Sequence, residues 1–135
     1  MHSILVIDDE ADVRDGMKRV LDRAGFSVRI IDNATDALLE LEREPADVVI
    51  TDIIMPKLNG VDAIHRIVQE FPSVRIVAIS GGGNFDPSSY QPAAITTTAY
   101  LLAAKKAGAH HILTKPFESA ELIDAVERVI GAGHG

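Results

Sequence analysis

Residues 3–10 read SILVIDDE, a short apolar run that ends in consecutive acidic side chains. An unbroken apolar run of this length, rich in β-branched residues, is typical of a strand buried on both faces of a sheet. Residues 27–31 (SVRII) alternate more, with the polar Arg29 between apolar neighbours, and predict an edge strand. The buried type of run returns at 47–52 (DVVITD), 75–80 (RIVAIS) and 111–115 (HILTK). The sequence therefore predicts five strands.

Helical patterns fill the intervals between these strands. Apolar residues recur there with the 3.6-residue spacing of helices that pack one face on a sheet. In the last interval, Ser119 is the predicted N-cap, and the apolar stripe ends near Ile130. Five strands that alternate with five helices predict an α/β fold, a doubly wound parallel sheet with right-handed crossovers. The apolar positions of the first three helices are Val13, Met17, Val20, Leu21, Ala24, Ala34, Ala37, Leu38, Leu41, Val61, Ile64 and Val68.

The crossover between the fourth and fifth strands, residues 81–110, is extended. It is longer than the roughly 15 to 24 residues that two loops and a helix require. Its first part, residues 81–92 (GGGNFDPSSYQP), is rich in turn-forming residues, so the predicted helix runs from 93 to 107. Tyr90 and Tyr100 fall in this crossover, and the sequence leaves open whether they pack internally or contact a partner.

Size and composition narrow the class of protein. With 135 residues and 47% hydrophobic content, we predict one domain over residues 1–135, no effector domain, and a flexible tail at 131–135. The net charge of −7 opposes direct binding to nucleic acid. The chain has no cysteine, no secretory signal pattern and no apolar run near the roughly 18 residues of a membrane span. We therefore predict a cytoplasmic protein that does not enter a membrane.

Polar side chains follow four of the predicted strands. Ligands of an open α/β sheet bind outside the carboxyl ends of its strands, so these side chains are expected to converge. Asp8, Asp9 and Asp52 offer the oxygen ligands that Mg²⁺ prefers, and a carboxylate can also act as a nucleophile that forms an aspartyl-phosphate. Lys115 would neutralise phosphoryl oxygens, and the hydroxyl of Ser80 would bond one of them as a sensor of the modified state. The pattern predicts phosphoryl chemistry on a carboxylate.

Together these motifs resemble the response-regulator receiver family of two-component systems, over essentially the whole chain. The resemblance implies a flavodoxin-like fold with strand order 2-1-3-4-5. It also implies a phosphoacceptor in a phosphorelay, similar to the stand-alone chemotaxis regulators. The residues that carry the resemblance are Asp8-Asp9, 52–56 (DIIMP) with Gly60, Ser80, and 115–117 (KPF).

The resemblance further implies a role for each site residue. Asp52 would take a phosphoryl group from a sensor histidine kinase or a histidine phosphotransfer protein, and the chain would catalyse only its own phosphorylation and slow dephosphorylation. Mg²⁺, or alternatively Mn²⁺, would be held by Asp8, Asp9, Asp52 and the backbone carbonyl of Ile54. Lys115 would pair with the phosphoryl group, and Ser80 would move on activation. The movement would switch a surface around the fourth helix, the fifth strand and the fifth helix, where a downstream protein binds.

Two features depart from the pattern of the receiver family. Ile112 stands where the family often has an aromatic residue, three positions before the lysine, and the crossover after Ser80 is long.

Two other functions are alternatives to that of a phosphoacceptor. One alternative is a metal-dependent phosphatase or phosphotransferase for a small molecule, but such enzymes need a second acid two residues after the nucleophile, where Ile54 stands. The other is a degenerate receiver that serves only as an interaction module. Ser80 could merely begin the glycine turn, and His110 and His111 are predicted to be structural.

Overall fold

The computed structural model describes residues 2–52, 60–80, 102, 105–114 and 117–132. Its core is a five-stranded parallel sheet with the order β2-β1-β3-β4-β5. The strands are β1 (Ser3–Ile7), β2 (Ser27–Ile31), β3 (Val48–Asp52), β4 (Arg75–Ser80) and β5 (His111–Thr114). The predicted strands and their order are confirmed. Because β1 pairs with both β2 and β3, the direction of winding reverses beside β1, and ligands of such sheets bind at that reversal.

Five helices cover the sheet, which confirms the predicted doubly wound α/β class with a flavodoxin-like arrangement. Residues 102 and 105–107 are helical and belong to α4, whereas the rest of the predicted helix at 93–107 lies outside the described residues. No helix in the described part of the chain is long and apolar enough to cross a membrane. The other helices are α1 (Ala11–Arg23), α2 (Ala34–Arg43), α3 (Gly60–Glu70) and α5 (Ser119–Ala132).

The sheet separates two apolar cores. In β1, Leu5 and Ile7 belong to the core under α2 and α3, while Ile4 and Val6 belong to the core under α1 and α5. This alternation follows from the two-residue repeat of a strand, and all four side chains are fully buried. Burial of an aliphatic side chain of this size contributes roughly 1.5–3 kcal/mol. The continuous apolar run of residues 4–7 thus reflects a strand that is covered on both faces.

The edge position predicted for β2 is confirmed, and its polar residue explains the alternating pattern. The guanidinium of Arg29 donates to Glu40 of α2 at 3.0 Å and to the carbonyl oxygens of Glu44 at 2.9 Å and Pro45 at 3.2 Å. Glu40 also accepts a hydrogen bond from Arg43, and the bonds from Arg43 and Arg29 lower the pKa of Glu40. Charged side chains therefore tie the edge strand to the neighbouring helix.

The predicted N-terminal boundary of α5 is wrong. The N-cap is Glu118 and not Ser119, because the carbonyl of Glu118 accepts the backbone N–H of Leu122 at 3.1 Å. The carboxylate of Glu121 in turn accepts the backbone N–H of Glu118 at 3.0 Å, as in a capping box. At the other end, the helix extends to Ala132, past the predicted end near Ile130, and residues 133–135 of the predicted tail lie outside the described residues. The buried apolar stripe anchors this last turn, because Val129 is buried directly before it.

The start of β5 is fixed by a histidine, as predicted for His110. The backbone N–H of His110 donates to the carbonyl of Ile76 at 2.8 Å, and the backbone N–H of Ile76 donates to Nδ1 of His110 at 3.0 Å. Further along the strand, Ile112 packs against the core under α2 and α3. β5 therefore reaches the carboxyl edge of the sheet from a well-defined start.

Candidate functional site

Four carboxylates converge at the carboxyl edge of the sheet. Ile7 pairs with Thr51 in the parallel register of β1 and β3, so the residues that follow, Asp8 and Asp52, lie side by side. Asp9 and Glu10 continue the chain from Asp8. One carboxylate oxygen from each of these four acids lies within 4.8 Å of the others. The predicted convergence of Asp8, Asp9 and Asp52 is present, and Glu10 joins it.

The four acids differ in burial. Asp8 is 0% exposed and Asp52 is 4% exposed, whereas Asp9 and Glu10 are exposed to solvent. Buried carboxylates close to one another raise the free energy of the fold unless protons or cations compensate them. A set of oxygen donors, partly buried and open on one side, matches a hard divalent cation that keeps several water ligands. The residues present therefore fit Mg²⁺.

Asp8 is held by hydrogen bonds to Ile31, Glu10 and Arg14. Its backbone N–H donates to the carbonyl of Ile31 at 3.1 Å, which extends the pairing of β1 with β2 by one residue. Its Oδ1 accepts the backbone N–H of Glu10 at 2.9 Å, and its backbone carbonyl accepts a hydrogen bond from Nη1 of Arg14 at 2.9 Å. These hydrogen bonds fix the position of Asp8 at the start of the turn between β1 and α1.

Asp52 is positioned by the central strand β3. Its neighbour Thr51 is fully buried and donates its hydroxyl to the carbonyl of Asp52 at 3.1 Å. Across the sheet, Asp52 pairs with Ile79 of β4. The carboxylate therefore projects from a strand that is hydrogen-bonded on both sides, and such rigid support suits a reacting group.

The register also relates the other predicted site residues to this edge. Ser80 follows Ile79 and pairs with Thr114, which is the residue before Lys115. The backbone of Ser80 is described as part of β4, but its side chain is not among the described groups. Ile54 and Lys115 lie outside the described residues. Their roles, and that of the Ser80 hydroxyl, stay predictions.

Sequence reasoning missed Glu10 as a member of the acidic group and Arg14 as its neighbour. Glu10 could have been included, because it directly follows two predicted ligands. Arg14 gives no such signal, because a partly buried arginine on an amphipathic helix looks like many surface residues, and its acceptor is a backbone carbonyl.

Comparison with known proteins agrees with the fold. Residues 4–127 match the family model of the response regulator receiver domain. The chain therefore belongs to the receiver family of two-component response regulators, whose domains act as phosphoacceptors.

Individual relatives differ in length. The chain is 30% identical over 127 residues to the chemotaxis protein CheY of Thermotoga maritima, covering 93% of this chain and 95% of that protein. It is 33% identical over 128 residues to the DNA-binding transcriptional regulator NtrC of Rhizobium meliloti, covering 95% of this chain but 24% of that regulator. The chain thus spans about a quarter of the length of NtrC. The crystal structure of the receiver domain of NtrX from Brucella abortus superposes with a TM-score of 0.79 at 31% identity, covering 95% of this chain and 98% of that one.

Proposed function

We propose that this receiver accepts a phosphoryl group on Asp52 from the phosphohistidine of a sensor histidine kinase or a histidine phosphotransfer protein. The observation that carries the proposal is the place of Asp52, a nearly buried carboxylate at the end of β3 with three other carboxylates within 4.8 Å. A carboxylate oxygen of Asp52 would attack phosphorus while the bond between phosphorus and the histidine nitrogen breaks. The electron pair of that bond leaves with the imidazole, and Asp52 becomes an aspartyl-phosphate.

Asp52 is a better candidate for the nucleophile than Asp8. One oxygen of Asp8 is engaged by the backbone N–H of Glu10, inside the turn that begins α1. Asp52 extends from the centre of the sheet, where β3 pairs with β1 on one side and β4 on the other. A phosphoryl group on Asp52 would therefore lie next to β4, which leads to Ser80, and one strand away from β5, which leads to Lys115.

The acidic group would supply the metal site for this reaction. Asp8, Asp9 and Asp52, with the carbonyl of Ile54, would hold Mg²⁺, and Mn²⁺ would serve as a substitute. When bound, the metal neutralises charge on the phosphoryl oxygens. Lys115 would add a second positive charge on the same group, and the hydroxyl of Ser80 would donate to one of its oxygens.

The output would be a change in protein binding around α4, β5 and α5. On α4, the side chain of Leu102 is 64% exposed and would be accessible to a protein partner. Ile112 packs on the core and replaces the family's frequent aromatic residue, so we expect the change to pass through Ser80 and the following segment. The cytoplasmic location, the stand-alone domain, and the absence of direct nucleic-acid binding and of catalysis beyond the chain's own phosphorylation stay predictions.

Phosphorylation by a small donor tests the proposal. With acetyl phosphate and Mg²⁺, intact-mass measurement should show one phosphoryl group that is labile in base, and Asp52→Asn should abolish it. Asp15→Asn removes the same charge from an exposed position on α1 and should be labelled like the wild type. Labelling of Asp52→Asn at the wild-type rate would refute the assignment. Turnover of small phosphate esters by the wild type would favour the phosphatase alternative.

A further inference from the structure

Arg14 links the start of α1 to the end of β1. Its side chain is partly buried, and its Nη1 donates to the backbone carbonyl of Asp8 at 2.9 Å. Its backbone N–H donates to the carbonyl of Glu10 at 3.0 Å, within the first turn of the helix. The guanidinium therefore closes a loop of chain that contains Asp8, Asp9 and Glu10.

That loop is under electrostatic stress. It carries three consecutive carboxylates, and a fourth belongs to Asp52, with oxygens from all four within 4.8 Å of one another. Like charges at such distances repel, and this repulsion favours any backbone movement that separates them. The hydrogen bond from Arg14 to Asp8 comes from a side chain, and it crosses the loop from the helix to the strand.

We infer that Arg14 is a positioning residue of the metal site, which holds the turn at residues 8–10 in the conformation that presents its carboxylates to Mg²⁺. This role rests on the Mg²⁺ site proposed above and adds a residue to it. Arg14 acts through the backbone of Asp8. Groups that orient metal ligands in this way commonly change metal affinity when they are removed.

Positioning and simple charge predict opposite effects on Mg²⁺ binding. A guanidinium near a cation site repels the cation, so loss of its charge alone would tighten Mg²⁺ binding. Loss of positioning lowers the fraction of molecules whose turn is ready to bind, and the apparent dissociation constant rises in proportion. The direction of the change therefore separates the two roles.

Two substitutions at Arg14 and one control elsewhere on α1 provide the test. Arg14→Met keeps the aliphatic stem and removes both the charge and the donors, whereas Arg14→Lys keeps the charge but changes the donor geometry. Arg19→Gln removes a charge from an exposed position of the same helix. Isothermal titration calorimetry of the full chain gives the dissociation constant for Mg²⁺, and thermal melting without metal reports stability separately.

We expect Arg14→Met to raise the dissociation constant for Mg²⁺ by roughly ten-fold, within the range known for groups that orient metal ligands. Arg14→Lys should raise it less, and it keeps the test available if Arg14→Met fails to fold. Arg19→Gln should leave Mg²⁺ binding unchanged or slightly tighter. In labelling with acetyl phosphate, Arg14→Met should need more Mg²⁺ for half-maximal rate while it approaches the wild-type rate at saturation.

Three other outcomes would overturn the positioning role of Arg14. If the wild type binds Mg²⁺ and the Arg14 variants bind it equally or more tightly, the positioning role is overturned and the metal site stands. A lower melting temperature with an unchanged dissociation constant overturns it as well, because Arg14 would then only stabilise the fold. If the wild type itself does not bind Mg²⁺ at millimolar concentrations, the proposed metal site fails, and the positioning role fails with it.

Discussion

Asp8 and Asp52 place two buried carboxylates within 4.8 Å of each other at the ends of paired strands. Two unit charges about 4 Å apart repel by about 4 kcal/mol at the effective dielectric constant typical near a protein surface. Burial of both groups adds to the cost of keeping them charged. The metal-free fold is therefore less stable than its apolar cores alone would make it, and the acidic group gains from a bound cation.

Mg²⁺ should consequently raise the melting temperature. Binding to the native state at a hundredfold excess over the dissociation constant stabilises a protein by about 2.7 kcal/mol, and about 1 kcal/mol shifts the melting temperature of a domain of this size by about 3–5 °C. Asp52→Asn should raise the melting temperature of the metal-free protein, because it removes one repelling charge. Asp9→Asn should lose most of the increase that Mg²⁺ causes.

Differential scanning calorimetry with and without Mg²⁺ measures both effects. Glu127→Gln, at an exposed position of α5, makes the same change in net charge away from the site and should respond to Mg²⁺ like the wild type. A wild-type melting temperature that is indifferent to millimolar Mg²⁺ would contradict a metal site at this edge.

The fold and the acidic group could be predicted because both follow from local sequence patterns. A strand covered on both faces must be apolar throughout, and residues 4–7 and 48–50 show this directly. Parallel strands end at a common edge, so acids placed after β1 and β3 had to meet. The edge strand was visible because Arg29 interrupts the apolar pattern.

Other features depend on contacts that a sequence does not show. The N-cap of α5 could not be read correctly, because Glu118 and Ser119 are neighbours and the cap is decided by which carbonyl accepts the first helical hydrogen bond. Arg14 donates to a backbone carbonyl, and because every residue has a backbone carbonyl, the sequence does not show which one accepts the hydrogen bond. His110 was predicted to be structural, but its acceptor role toward Ile76 depends on the register of β4 and β5.

Gly108 ends α4, and we expect Gly108→Ala to destabilise the protein by about 2–4 kcal/mol. Its φ angle is +123°, which disfavours any side chain, and a β-carbon there would lie 2.6 Å from Cγ2 of Val68 on α3. Urea unfolding measures the change. Gly16→Ala is the matched control, because a β-carbon at Gly16 meets nothing within 4 Å, and alanine in a helix should stabilise by roughly 0.5–1 kcal/mol.

A double variant separates the two causes at Gly108. Val68→Ala should relieve the steric part, so the destabilisation of the double variant should be smaller than the sum of the destabilisations of the two single variants. The backbone strain of the positive φ angle should remain. Strictly additive costs would show that contact with Val68 contributes nothing.

The long crossover should matter for partner binding more than for folding. Residues 84–91 lie outside the described part of the chain, and the prediction rests on their turn-rich sequence, NFDPSSYQ. Surface connections tolerate length changes and often carry recognition. Shortening this segment should leave thermal melting and Asp52 labelling nearly unchanged, while the phosphorylated protein retains less of its partner in a pull-down. Normal labelling together with undiminished partner recovery would contradict a recognition role.

His110 should make stability depend on pH below neutrality. Burial, and then the positive charge of Arg75, lower the pKa of His110 from its ordinary value of 6.5. Nδ1 must stay unprotonated to accept the backbone N–H of Ile76, and Nε2 lies 3.2 Å from a guanidinium nitrogen of Arg75. Below pH 6.5, His110 therefore takes up a proton more readily in the unfolded chain than in the folded protein.

The direction in which stability changes with pH follows from this difference in bound protons. The contribution of neutral His110 to the free energy of unfolding is fully present above pH 6.5, falls as the pH drops toward the lowered pKa of the folded state, and is then constant. His110→Asn is the decisive variant, because its side-chain oxygen occupies a place similar to that of Nδ1, accepts the same N–H and does not titrate. It should cost no more than about 1 kcal/mol near neutral pH and should flatten the pH dependence below it. His65→Asn, at an exposed position of α3, should leave that dependence in place. Urea unfolding at several pH values on either side of 6.5 measures all three proteins, and an equally steep dependence in His110→Asn would show that other groups cause it.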